Sequence, residues 1–127
     1  MAEKKCFKTD KAAVTGGPYS QAVIHEGLIY ISGQVAVDPV TNEVRPGTIE
    51  EESAVALENI RIILEDAGSS LDRALRVTVY LAGMEEYGRF NEVYKRYFRK
   101  DLPARTCIQA GGLPMGFRVE IDVIAAL

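Results

Sequence analysis

A chain of 127 residues with an apolar share of 47% has material for one core of ordinary size and none for a second domain. Its net charge of −3 gives the protein no overall positive field, which argues against a dedicated binder of nucleic acid or of acidic membranes. The two cysteines, Cys6 and Cys107, do not form a disulfide framework or a C-x-x-C pair, and the single histidine, His25, excludes a histidine metal cluster.

The opening residues, Met-Ala-Glu-Lys-Lys-Cys, lack the apolar run of a signal sequence and the arginine richness of a transit peptide, and no later window approaches a membrane span. A cytoplasmic protein with reduced thiols is therefore expected. Lys4 to Lys8 alternates weakly, as an edge strand does, and Thr15-Gly16-Gly17-Pro18-Tyr19-Ser20 is a turn. No Lys-Ser/Thr pair or helix follows that glycine pair, so it is not a phosphate loop. Ala22 to His25, a Glu26-Gly27 turn and Leu28 to Val35 form a predicted hairpin, with Ile29 and Ile31 on one face and Tyr30, Ser32 and Gln34 on the other. Gly33 marks a bulge or a close approach of backbone to another group.

Thr48 and Glu51 make a capping box, and Ala56, Leu57, Ile60, Ile63, Leu64 and Ala67 recur at helical spacing up to Gly68. Leu75, Val77, Val79 and Leu81 alternate with Arg76, Thr78 and Tyr80, which predicts a strand. Glu85 and Glu86 suit a second helix start, down which Tyr87, Phe90, Tyr94 and Tyr97 run as a core-facing row, with Asp101-Leu102-Pro103 ending it.

Two strands complete the chain. In the first, Arg105, Cys107 and Gln109 alternate with Thr106, Ile108 and Ala110; in the second, Arg118, Glu120 and Asp122 alternate with Val119, Ile121 and Val123. If the two are neighbours, a guanidinium, a thiol and a carboxylate share one side of a sheet. The simplest packing is a single α+β domain over residues 1–127, a mixed sheet with both helices on one face. The other face, carrying Ser32, Gln34, Thr78, Tyr80, Arg105, Cys107 and Glu120, has no cover within one chain, so a closed homo-oligomer with pockets between subunits is expected.

The segments Gly17-Pro18-Tyr19-Ser20, Ile31-Ser32-Gly33-Gln34, Phe90-Asn91-Glu92-Val93-Tyr94, Pro103-Ala104-Arg105-Thr106-Cys107 and Val119-Glu120-Ile121 resemble, in order and spacing, the RidA family, also called YjgF-type or L-PSP ribonuclease-like proteins. The similarity covers nearly the whole chain. It implies a chorismate-mutase-like fold, a homotrimer whose sheets form a central β-barrel, and clefts at the subunit interfaces. The implied activity is hydrolytic deamination of reactive enamines and imines such as 2-iminobutanoate and 2-iminopropanoate. Carried over residue by residue, the pocket falls on Tyr19, Ser32, Gly33, Asn91, Arg105, Cys107 and Glu120.

The chemistry of these residues fits that activity. Arg105 has the planar fork that pairs a carboxylate in bidentate fashion, so it would fix the 2-imino acid. Hydrolysis then needs a positioned water and a group that takes and returns protons, roles for Glu120 with help from Tyr19. Neither a cofactor nor a metal is required. Cys107 has no histidine to activate it unless His25 comes close, so backbone contact and pocket shape are its expected parts. Three rival readings stand beside this one. They are endoribonuclease activity on single-stranded RNA, which the acidic chain disfavours; a non-catalytic module binding a small carboxylate, for which Glu120 gives no reason; and a chaperone-like protein, on which the sequence is silent.

Overall fold

A computed structural model describes residues 3–127. The strands are β1 (Lys5–Phe7), β2 (Ala22–His25), β3 (Leu28–Gln34), β4 (Ala74–Leu81), β5 (Ala104–Gln109) and β6 (Val119–Ala126), and the helices are α1 (Ile49–Asp66) and α2 (Tyr87–Tyr97). The β2–β3 hairpin closes through Glu26 and Gly27, at φ of 49° and 79°, the two left-handed residues that a two-residue turn of matching twist demands.

α1 begins as the sequence predicts. The Thr48 side chain accepts from the Glu51 N–H at 3.1 Å and the Glu51 carboxylate accepts from the Thr48 N–H at 2.9 Å. Its end is a Schellman arrangement, with Gly68 at φ 89° while the Ser69 N–H bonds to the Leu64 carbonyl at 2.8 Å and the Gly68 N–H to the Glu65 carbonyl at 3.1 Å. α2 starts after a 3-10 turn over Met84–Glu86 and stops at Tyr97, four residues ahead of Asp101, because Phe98 is already extended.

The strands form one mixed sheet in the order β1-β2-β3-β6-β4-β5, in which only β4 and β5 are parallel. Both helices cover the same face, since Leu57, Ile60 and Leu64 of α1 and Phe90 and Tyr94 of α2 share one core with Ile29, Val77, Val79, Ile121 and Val123. The last turn before β6 is fixed by Glu52, which is buried on α1 and accepts the Arg118 N–H at 2.8 Å and the Gly47 N–H at 3.2 Å. No helix is long and apolar enough to cross a membrane among the described residues.

Several side chains take the face opposite to the one their alternation predicts. A bulge between Ala74 and Arg76 gives the core position to Ala74 and leaves Leu75 48% exposed. A second bulge between Ile31 and Gln34 pairs Gln34 with the core residue Ile121, so Gln34 is buried in the core-facing register while Ser32 stays on the open side. The largest change concerns β5. It does not neighbour β6 but lies at the sheet edge, and its parallel register pairs Arg105 with Val77 and Cys107 with Val79. Those partners are core residues. Arg105 and Cys107 therefore project on the helix-covered face, and Thr106 and Ile108 take the open face beside Thr78 and Tyr80.

Candidate functional site

The open face carries one half of the predicted pocket. Glu120 stands opposite Tyr80 on β4, and the Ser32–Gly33 bulge of β3 lies against it. A Cβ added at Gly33 would sit 2.1 Å from Glu120 Oε2, so only glycine lets the carboxylate occupy that position. Glu120, Ser32, Gly33 and Tyr19 all line a cleft of about 800 Å³, completed by the segment before β2 and by Cys6 and Lys8 near β1.

That segment is sewn down by hydrogen bonds rather than by regular structure. The Ser32 hydroxyl donates to the Ser20 carbonyl at 2.6 Å, and the Ser32 N–H bonds to the Gln21 carbonyl at 3.0 Å. The Gln21 amide in turn accepts the Thr9 N–H at 2.8 Å and donates to the Ala13 carbonyl at 2.9 Å. Tyr19 is 56% exposed, and its hydroxyl shares a 2.7 Å hydrogen bond with Thr15. The ring thus has a fixed hydroxyl at the cleft wall.

Burial pushes the Glu120 carboxyl above its ordinary range, and the Asp122 charge two residues on adds to the shift. Burial also raises the Tyr80 phenol, with Asp122 and Glu120 acting in the same direction. Among the described residues no cation pairs with Glu120 within 4.0 Å. A carboxylate so placed is ready to hold or release a proton.

The other half of the pocket is on the helix-covered face at the β5 edge. Tyr87, Phe90, Asn91 and Tyr94 fall on one stripe of α2 at helical spacing, and the Arg105 guanidinium carbon lies 5.6, 5.8 and 4.6 Å from the ring centroids of Tyr87, Phe90 and Tyr94. The Tyr87 hydroxyl accepts a hydrogen bond from Arg105 Nη2 at 3.0 Å. Rings attract the cation without neutralising it, and among the described residues no carboxylate pairs with Arg105. Asn91 Oδ1 is buried without a partner among the described residues. Burial raises the Tyr94 phenol to about 12 and pushes the Cys107 thiol up, with Arg105 pulling both the other way. Cys107 is thus held as a thiol, which speaks against a nucleophilic role.

The seven residues carried over from the resemblance thus divide in two. Tyr19, Ser32, Gly33 and Glu120 gather at the open-face cleft, whereas Asn91, Arg105 and Cys107 belong to the β5–α2 edge. The expectation that Arg105 and Glu120 share a face within one chain is incorrect, because β4 intervenes and its parallel pairing with β5 sets the opposite phase. Gln109 leaves that polar row as well and accepts the Met84 N–H at 2.9 Å. The aromatic side chains that hold Arg105 were legible as a helical row but read only as core. Thr15 and Gln21 carried no signal of their own.

Comparison with known proteins finds relatives and similar structures over nearly the whole chain. The model of the family described as endoribonuclease L-PSP matches residues 9–127. A 2-iminobutanoate/2-iminopropanoate deaminase of Mus musculus is 47% identical over 122 residues, covering 96% of this chain and 90% of its own length. The crystal structure of RidA from the Antarctic bacterium Psychrobacter sp. PAMC 21119 superposes with a TM-score of 0.91 at 37% identity, covering 97% of this chain and 99% of that one. That of E. coli TdcF with bound serine gives 0.89 at 32% identity, covering 97% and 98%.

Proposed function

The chain belongs to the endoribonuclease L-PSP family, the RidA or YjgF group, and from that premise we propose that it hydrolyses 2-iminobutanoate, 2-iminopropanoate and related imino acids to 2-keto acids and ammonia. The observation that carries the reading is the Arg105 guanidinium, gripped by aromatic rings and free of any carboxylate among the described residues. A 2-imino acid supplies the missing anion, and a planar fork receives it in two-point contact. Serine bound to TdcF is a small amino acid with the same carboxylate.

With the substrate so held and its imine nitrogen protonated, a water adds to the imine carbon as Glu120 takes one of the water's protons, giving the carbinolamine. Glu120 returns that proton to the nitrogen, and as the carbon–nitrogen bond breaks it takes the proton of the carbinolamine hydroxyl, so that the ketone forms, the nitrogen leaves as ammonia and the proton passes to solvent. The raised affinity of Glu120 for protons suits this exchange, since a strongly acidic carboxylate would be slow to accept. Tyr19, with its hydroxyl anchored on Thr15, orients the water.

Arg105 and Glu120 serve one substrate only if they come from different copies of the chain. We infer that the β5 edge of one copy docks beside the Glu120 cleft of the next. The open face supports this, because Tyr30 and Ile108 are left 40% and 47% exposed there by the described residues. A closed ring of three copies forming a barrel removes these exposed faces and yields three equivalent clefts. The test is to generate imines from amino acids with a dehydratase or oxidase and to measure keto-acid and ammonia release. An unchanged rate on adding the protein would overturn the activity.

A further inference from the structure

We propose that Tyr87 is a positioning residue for Arg105, and that its hydroxyl sets how tightly the site binds a substrate carboxylate; the proposal rests on the carboxylate-binding role given to Arg105. The three rings around the guanidinium are not equivalent. Phe90 and Tyr94 are 0% and 9% exposed and belong to the core, where they would be needed whether or not an arginine lay above them. Tyr87 is 38% exposed, lies at the start of α2 and is not part of that core. Its hydroxyl accepts a hydrogen bond from Arg105 Nη2 at 3.0 Å.

Arg105 is on an edge strand, with a long flexible stem. A guanidinium has five N–H donors in a rigid plane, so engaging one of them at Nη2 fixes the plane and leaves the others for a two-point carboxylate contact. A carboxylate in the place of Tyr87 would fix the same plane but cancel the charge. A phenol holds the fork and leaves its charge to the ligand. Without it, Arg105 keeps its stack on Tyr94 but is free to turn over the ring face, and each binding event then has to select the competent orientation.

The test measures 2-ketobutanoate affinity by calorimetry for the full chain, Tyr87→Phe, Arg105→Lys and the double variant. Tyr87→Phe keeps the ring and is expected to weaken binding by about three- to tenfold, with the melting temperature unchanged. In the Arg105→Lys background, where there is no plane to orient, the same substitution is expected to change affinity by less than about twofold. In hydrolysis the loss in kcat/KM is carried by KM. Unchanged affinity in Tyr87→Phe, or an equal loss in both backgrounds, would overturn the proposal, as would a parent that binds no 2-ketobutanoate. A parent that binds 2-ketobutanoate but hydrolyses no imine would sink the proposed activity and leave the calorimetric test of Tyr87 intact.

Discussion

Arg105 and Glu120 lie on opposite faces of the same sheet, Arg105 in register with the core residue Val77 and Glu120 opposite Tyr80 on the open side. Each is a charge without a counter-ion among the described residues. A single protomer cannot present both to one small substrate, so the proposed roles of the two residues require two copies of the chain at each cleft.

Mixing two inactive variants tests this. If each cleft takes Arg105 from one copy and Glu120 from the next, then trimers reassembled from equal amounts of Arg105→Ala and Glu120→Gln chains contain intact clefts wherever a Glu120→Gln copy supplies Arg105 to an Arg105→Ala neighbour. Random assembly makes that about a quarter of all clefts, so about a quarter of the parent activity should return. Light scattering on the parent should give about three times the chain mass of 14.0 kDa. Mixtures that stay inactive, or a well-behaved monomer at micromolar concentration, would remove the shared cleft.

Arg105→Lys keeps the charge and loses the plane. Lysine offers a point charge that cannot make the two-point contact, so imine turnover should fall at least about tenfold, on the order of 1.4 kcal/mol in transition-state binding. Stability should change little, because Arg105 is only half-buried and the rings of Phe90 and Tyr94 keep their own packing. Steady-state kinetics and a thermal melt on the same sample check both parts.

The elements were legible because local rules dictate them. Thr48 and Glu51 announce α1, and Glu26-Gly27 announces the hairpin turn. What alternation cannot give is the phase of a strand whose two faces are both mixed. In β5 the row Arg105, Cys107, Gln109 is more polar than Thr106, Ile108, Ala110 and was therefore assigned to the open face; at an edge under an aromatic helix, the core side can accept a guanidinium stem. The bulges at Leu75 and at Ser32–Gly33 shift phase within a strand, and only the second has a glycine to signal it.

Gly33→Ala separates the cleft from the fold. The added methyl would meet Glu120 Oε2 at 2.1 Å and Cδ at 2.8 Å, and that side chain can turn away at a cost of about 1–3 kcal/mol of stability. The carboxylate would then be displaced from the cleft, and a misplacement of about 1 Å is enough to lose roughly a hundredfold in rate. The expected outcome is a cooperative melt lowered by no more than several degrees, with hydrolysis reduced by at least about tenfold. Full activity would mean that the position of Glu120 against the bulge is immaterial.

Glu120→Gln isolates proton transfer, since it keeps the size and shape of the side chain and removes its titratable group. A general acid–base contribution of roughly 10²–10⁴-fold sets the expected loss in rate. Keto-acid binding should survive and even tighten, because a negative charge near the ligand has been removed. Stability gives an independent reading. Burial, and then Asp122, raise the folded-state affinity of Glu120 for its proton, so the folded chain binds more protons than the unfolded one between the ordinary carboxylate range and the raised value. In that window the parent loses stability as pH rises, and above it the loss is complete. The glutamine variant has no such loss. Its melting temperature should therefore match the parent at pH below the ordinary carboxylate range and exceed it at neutral pH, by an amount that Asp122→Asn in the parent partly reproduces. A parent and variant that melt in parallel across the whole pH range, together with a rate within a factor of about two, would pass the proton-handling role to Tyr19 or to solvent.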